Sequence, residues 1–355
     1  MQRTFYLGAN TPEGFFSYYG ELDRAAPSRK LIIKGGPGTG KSSLMRKAAE
    51  VWEGAGESVE YIVCSSDPDS LDAAIARDRG TALVDGTAPH VVEPVCPGAY
   101  DEIINLGSFW NQKRLRGARS DIEALSGRIG ECYKSAYRFL RAARTAQTDI
   151  RATVCAGTDT KRAERLAARI AKKEFKKKDA AKPGTVSRRF ISGITPLGIK
   201  HYINEDLEGF GRVYVLYDPF KTGGPILSAL CRAAADAGYD VTCCYCPMSP
   251  GGFPEHLIIE ELSLAFVSEN AFHAYGGEPV RRVNLERYVS EELRRKNRQK
   301  IRFDMSLCRA LTGRAVEYIK EAKSLHDELE TIYTGAMDFK KLGAFRTKLL
   351  KDLTV

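Results

Sequence analysis

Thr11-Pro12-Glu13-Gly14 returns as Thr195-Pro196-Leu197-Gly198, and Tyr18 returns as Tyr202. Farther on, Leu125-Ser126-Gly127-Arg128 returns as Leu311-Thr312-Gly313-Arg314. Glu131, Lys134 and Ala136 are then matched by Glu317, Lys320 and Ala322. The spacing stays near 180 residues, so the 355-residue chain reads as a tandem duplication with its seam near Pro183-Gly184. The fold to be explained is one unit made twice, over residues 1–184 and 185–355.

Each half has the same order of elements. A T-P-x-G turn precedes a short apolar strand, Leu31 to Lys34 or Val213 to Tyr217. A Gly-rich loop and a helix follow, then a second strand (Val59 to Cys64 or Val241 to Cys246) and a third (Thr81 to Asp85 or Leu264 to Ser268). Strands alternating with helices predict an α/β fold, a parallel sheet with helices on both faces. A long helical segment closes each half, roughly Asn111 to Ile150 and Leu285 to Tyr333. Its spacing of Ile122, Leu125, Ile129, Cys132, Tyr133 and Ala136 is that of an amphipathic helix, suited to a helical layer beside the two sheets.

Gly35-Gly36-Pro37-Gly38-Thr39-Gly40-Lys41-Ser42 fits G-x-x-x-x-G-K-[ST] without mismatch, between a strand and a helix that continues with Ser43. Glycines let such a loop turn its N–H groups towards a phosphate, and the helix N-terminus adds a favourable dipole. Residues Gly35 to Ser43 are therefore the expected nucleotide contacts. Lys41 would reach the β- and γ-phosphates, and the Ser42 hydroxyl would ligate Mg²⁺. Thr81-Ala82-Leu83-Val84-Asp85 is an apolar strand ending in a carboxylate, as a Walker B strand requires to hold Mg²⁺.

The duplication supplies an internal control. At an offset of 183, Lys41 becomes Gly224, Ser42 becomes Pro225 and Asp85 becomes Ser268. The phosphate- and metal-holding residues are lost together, and Pro225 has no N–H to offer. The second repeat is expected to be a degenerate unit without a nucleotide site. His90 looks like a γ-phosphate sensor, yet it returns as His273 in the half without a site, which points to support of the fold. The general base is open. Asp67 or Asp69, after the second strand, could position an attacking water, but both also suit turn and helix-cap chemistry. No Glu follows Asp85, so one familiar ATPase arrangement is missing.

At these residues the chain resembles the P-loop NTPase superfamily. The position of the Asp85 strand, one later than the nearest neighbour, looks like the additional-strand ATPase branch. KGGPGTGKSSLM, CSSDPDSLD and LVDGTAPH are similar to a poorly characterised bacterial ATPase family with two fused P-loop units. The resemblance covers most of the chain and implies ATP and Mg²⁺ as ligands. The absence of an N-K-x-D motif favours adenine over guanine. The leading functional expectation is an ATPase whose nucleotide state drives a conformational change. The alternatives are a small-molecule kinase and a non-hydrolytic ATP-dependent switch.

Composition adds three points. The nine cysteines are odd in number and scattered, and the N-terminus has no apolar h-region, which together place the chain in a reducing cytoplasm. Cys243-Cys244-Tyr245-Cys246 reads as a buried strand rather than a metal site. Charge is concentrated between Lys161 and Lys182, where ten Lys/Arg face Glu164, Glu174 and Asp179 for a net +7. That segment is either a solvated linker helix or a contact for nucleic acid or another acidic partner. No apolar stretch is long enough to span a bilayer.

Overall fold

The computed structural model describes residues 2–24, 27–178 and 182–353. Asp179 of the basic segment lies outside the described residues. The first repeat opens with β1 (Gln2–Phe5), β2 (Gly8–Thr11), β3 (Gly14–Ser17) and α1 (Glu21–Arg24). It continues with β4 (Arg29–Lys34), α2 (Lys41–Gly54), β5 (Val59–Val63), β6 (Leu71–Ala76), β7 (Thr81–Asp85) and β8 (Asp101–Asn105). Three helices close it: α3 (Gln112–Gly117), α4 (Arg119–Cys155) and α5 (Thr160–Glu174). The second repeat opens with β9 (Val186–Arg189), β10 (Ser192–Thr195), β11 (Gly198–His201) and α6 (Ile203–Asp206). There follow β12 (Arg212–Tyr217), α7 (Gly224–Asp236), β13 (Val241–Tyr245), β14 (Pro254–Ile259), β15 (Leu264–Glu269) and β16 (Arg281–Asn284). It ends with α8 (Glu291–Lys296), α9 (Arg298–Thr334) and α10 (Phe339–Asp352).

Each repeat builds one six-stranded sheet, in the orders β1-β5-β6-β7-β4-β8 and β9-β13-β14-β15-β12-β16. Most pairings are parallel, but β6 and β14 run antiparallel to both of their neighbours. The wholly parallel sheet expected from the sequence is corrected at these two strands. Leu71-Asp72-Ala73-Ala74-Ile75-Ala76 lacks the β-branched run of a strand and carries a carboxylate, so its strand character comes from its place in the sheet. A second correction concerns β7, which pairs directly with β4, so no strand separates them. The offset expected of an additional-strand sheet is not formed.

Side chains alternate along the second sheet as a period of two requires. Tyr214, Leu216, Leu257, Ile259 and Phe266 face α7 and α5, whereas Val213, Val215, Ile258, Ala265 and Val267 face the first repeat. The inner faces of both sheets share one core with Tyr6, Phe190 and the single-turn helices α1 and α6. Long helices therefore cover the outer face of the second sheet, not both faces. Tyr6 and Phe190 exchange reciprocal backbone hydrogen bonds of 2.8 and 2.9 Å where the repeats meet. On α2, Leu44, Met45, Ala48, Ala49 and Trp52 form one fully buried stripe. A side chain such as Leu44 contributes roughly 1.5–3 kcal/mol by leaving water.

The two 37-residue helices α4 and α9 pack antiparallel over about 55 Å. Cys132 meets Ala322 and Leu325 at one end, and Ile150 and Val154 meet Ile301 at the other. Their length carries each trailing helix to the opposite repeat. Leu342 and Leu353, at the two ends of the α10 segment, join the first repeat's core, while Leu166, Ala167 and Ile170 of α5 join the second's. Asp338 N–H donates to Phe109 O at 2.9 Å, and Asp159 N–H donates to Tyr288 O at 2.8 Å, mirroring the exchange. The seam at residue 184 divides the sequence repeats, while packing crosses it. Among the described residues, no helix is long and apolar enough to cross a membrane.

Candidate functional site

The Gly35–Ser42 loop joins buried β4 to α2. Gly38 and Gly40 hold φ of 66° and 80°, a conformation that favours glycine. Thr39 Oγ1 donates to Gly36 O at 2.9 Å and ties the turn together. Lys41 Nζ donates to Gly35 O (2.9 Å) and Gly36 O (2.8 Å) and lies 3.5 Å from Asp85 Oδ2. The two ionic groups are mostly buried, 13% and 11% exposed at the side chain. Asp85 arrives there because β7 pairs in register with β4, placing it beside Ile33. Its Oδ1 accepts from Thr87 N–H at 2.9 Å and from the Thr87 hydroxyl. Ser42 Oγ accepts the Leu71 N–H at 3.0 Å. Ser43 is exposed on the first turn of α2. Lys41 and Asp85, separate in sequence, are thus brought together.

Asp67 sits in the β5–β6 turn. Its Oδ2 accepts from Ser70 Oγ at 2.9 Å, its carbonyl accepts from Ser70 N–H at 2.8 Å, and Lys323 Nζ of α9 faces it at 3.7 Å. Its observed bonds are those of a turn residue.

The C-terminal end of α9 covers the loop. A Cβ at Gly36 would stand 3.1 Å from the Tyr333 ring and 3.3 Å from Trp110. One at Gly38 would meet Thr334 Oγ1 and approach Glu330 O to 3.0 Å. The loop's glycines are thus required by dihedral angle at Gly38 and by the close approach of the other repeat's helix. Nothing in the sequence pattern announced that approach, because it depends on the crossing of α4 and α9.

The second loop is different in kind. At the same offset of 183, Asp218 stands where the first loop has Gly35. Its carboxylate accepts Thr222 N–H (2.7 Å), Thr222 Oγ1 (3.0 Å) and Gly223 N–H (2.8 Å). Thr222 and Gly223 correspond to Thr39 and Gly40. The second loop therefore folds around an anion that the chain itself supplies. Burial pushes the Asp218 carboxyl above its usual range, against the pull of the Gly223 and Thr222 donors. An acidic residue at the position of the motif's first glycine was the sequence signal for this plug.

Lys221 takes the place of Gly38 and keeps a positive φ of 55°. Its ammonium lies 2.7 Å from Glu255 Oε1 and 2.9 Å from Cys246 Sγ. Cys243, Cys244 and Cys246 are all buried. Glu255 and His273 correspond to Asp72 and His90 of the first repeat. His90 Nε2 lies 3.2 Å from Asp72 Oδ1, and His273 Nδ1 lies 3.5 Å from Glu255 Oε2. Each repeat thus holds a buried histidine–carboxylate pair, with or without a counterpart of Lys41. This agrees with a role for His90 in the fold.

The two histidine environments make opposite pH predictions. Burial lowers His256 to about 3 and His273 to about 4; Lys221 adds to this and Glu255 opposes it. The unfolded chain takes up these protons near pH 6.5, before the folded one does. Stability from neutral His273 is complete above that value and falls as pH drops towards about 4, by roughly 3 kcal/mol. Burial also lowers His90, but Asp72 outweighs it and the net shift is upward. Its contribution is full below about pH 6.5 and is lost as pH rises through the raised value. Urea midpoints measured from pH 7 to 4 should fall, and His273→Gln should reduce that fall. An unchanged acid slope in His273→Gln would show that buried neutral imidazole is not its source.

Compared with family models, with curated proteins and with solved structures, the chain finds no match.

Proposed function

We propose that the first repeat is a P-loop unit that binds Mg-ATP, and that binding and hydrolysis there move the α4–α9 pair. The contrast between the two loops carries this reading. One nest is filled by Asp218, whereas its counterpart has Gly35 in place of that aspartate, and beside it Lys41 and Asp85 converge. A loop of this geometry selects an anion through backbone N–H groups and the N-terminus of α2. Lys41 would leave its two carbonyl partners to meet phosphate oxygens.

Ser42 and Asp85 offer hydroxyl and carboxylate oxygen, the hard donors that Mg²⁺ prefers. Ser42 Oγ spends one lone pair on Leu71 N–H and retains another. The ion would neutralise phosphate charge when bound. The P-loop NTPase resemblance rests on these residues, and β4 pairs directly with β7.

Coupling follows from what lies over the loop. The Glu330 carbonyl, within 3.0 Å of a Cβ at Gly38, and the negative end of the α9 dipole lie against the loop that would hold a triphosphate. Nucleotide binding should therefore displace that helix end. A non-hydrolytic switch is the second reading, favoured by the engagement of Asp67 with Ser70 and Lys323.

Titration calorimetry with Mg-ATP tests the site, and hydrogen exchange along 323–336 tests the coupling. One nucleotide per chain and faster exchange in that stretch are expected. No binding at millimolar Mg-ATP would remove the nucleotide reading, and binding with unchanged exchange would remove the coupling.

A further inference from the structure

The basic segment divides into two faces once α5 is in place. Leu166, Ala167 and Ile170 are buried in the second repeat's core, and Phe175 packs against Tyr239 and Phe266. Lys161, Arg165, Arg169 and Lys172 are exposed on the outer side. At 100° per residue these four fall within an arc of about 80° and span about 16 Å. Glu164 is the exposed acid of this helix, because Glu174 is buried and engaged by Arg212 and Tyr214.

The exposed cations of the long helices are a useful comparison. Arg119, Lys134, Arg314 and Lys323 each pair with an acid one turn away. Among the described residues, none of Lys161, Arg165, Arg169 and Lys172 forms an ion pair; Arg169 donates only to Arg165 O. Four like charges on one face repel one another, and none of them is held in an ion pair. Such a face is suited to an external polyanion.

The packing discriminates among polyanions. Single-strand recognition stacks bases on exposed aromatics, and Phe175 is committed to the core. A membrane-surface helix needs a free apolar face, and that of α5 is buried against α7. A protein interface centres on apolar or aromatic anchors, and the outer face of α5 offers only Ala168 between its charges. Phosphate contact along a double helix needs none of these.

We propose that the outer face of α5 binds the phosphate backbone of duplex nucleic acid, without base readout, through Lys161, Arg165, Arg169 and Lys172. The proposal is independent of ATP binding at the first repeat. Four phosphate contacts give a log–log salt slope of about −3.6, or about a 100-fold loss of affinity between 50 and 200 mM salt.

The test is fluorescence anisotropy of the full chain with a short labelled DNA duplex of mixed sequence. The combined variant Lys161→Gln, Arg165→Gln, Arg169→Gln, Lys172→Gln should lose most of the affinity and flatten the salt slope. All four side chains are exposed, so its thermal unfolding should match the wild type. A second variant, Lys340→Gln with Lys348→Gln, alters exposed cations on the counterpart helix α10 and should retain binding. Failure of the wild-type chain to bind duplex at 50 mM salt would overturn the proposal. So would equal binding to polyglutamate or anionic vesicles, or an equal loss in the α10 variant.

Discussion

Lys41→Ala is expected to lower phosphate release from Mg-ATP about 100-fold or more, because it removes the ammonium held at the Gly35 and Gly36 carbonyls, which the proposed function assigns to the phosphates. Asp85→Ala should act in the same direction, since Asp85 lies 3.5 Å from that ammonium and ends the neighbouring strand. Ser268→Ala, at the corresponding place in the second repeat, should leave release unchanged. Its hydroxyl makes only a long 3.5 Å contact with Asp218. Steady-state phosphate assays on the four proteins give the answer. Wild-type release that survives Lys41→Ala would place the chemistry elsewhere. Binding of Mg-ATP without release in any of them would favour the switch reading.

Lys221→Met is expected to destabilise the second repeat by about 3–5 kcal/mol. The substitution keeps most of the aliphatic stem and removes the charge that neutralises Glu255. Glu255 is only 7% exposed at its side chain and would be left a buried carboxylate facing only the Asn270 amide and His273, without its cation. The loss corresponds to a fall in Tm on the order of 10 °C. Lys221→Met combined with Glu255→Gln should recover most of it, because removing both charges costs far less than removing one. Thermal and urea unfolding of both variants measure the coupling. A single-variant loss under about 1 kcal/mol would mean that Lys221 does not neutralise Glu255.

These two lysines show why one loop was readable and the other was not. Lys41 belongs to a local motif whose spacing alone fixes strand, turn and helix, and the structure forms those elements where expected. Lys221 belongs to no motif. Its importance comes from Glu255 on β14, an antiparallel strand absent from the element order expected of the sequence. Asp218 was visible as a departure from glycine, but its meaning required seeing its carboxylate on the Thr222 and Gly223 donors.

The sequence by itself determined the duplication, the alternation of strands and helices, the strand–loop–helix around Lys41 and the basic run before the seam. Each of these rests on interactions between near neighbours or on a repeat that survives in residue identity. Only the tertiary structure decided that β7 lies directly beside β4, that α5 and α10 exchange repeats, and that Glu330, Tyr333 and Thr334 close over the first loop. Those features depend on where two 37-residue helices cross. An amphipathic pattern specifies that such a helix must bury one face, but leaves the surface that buries it to the packing of the whole chain.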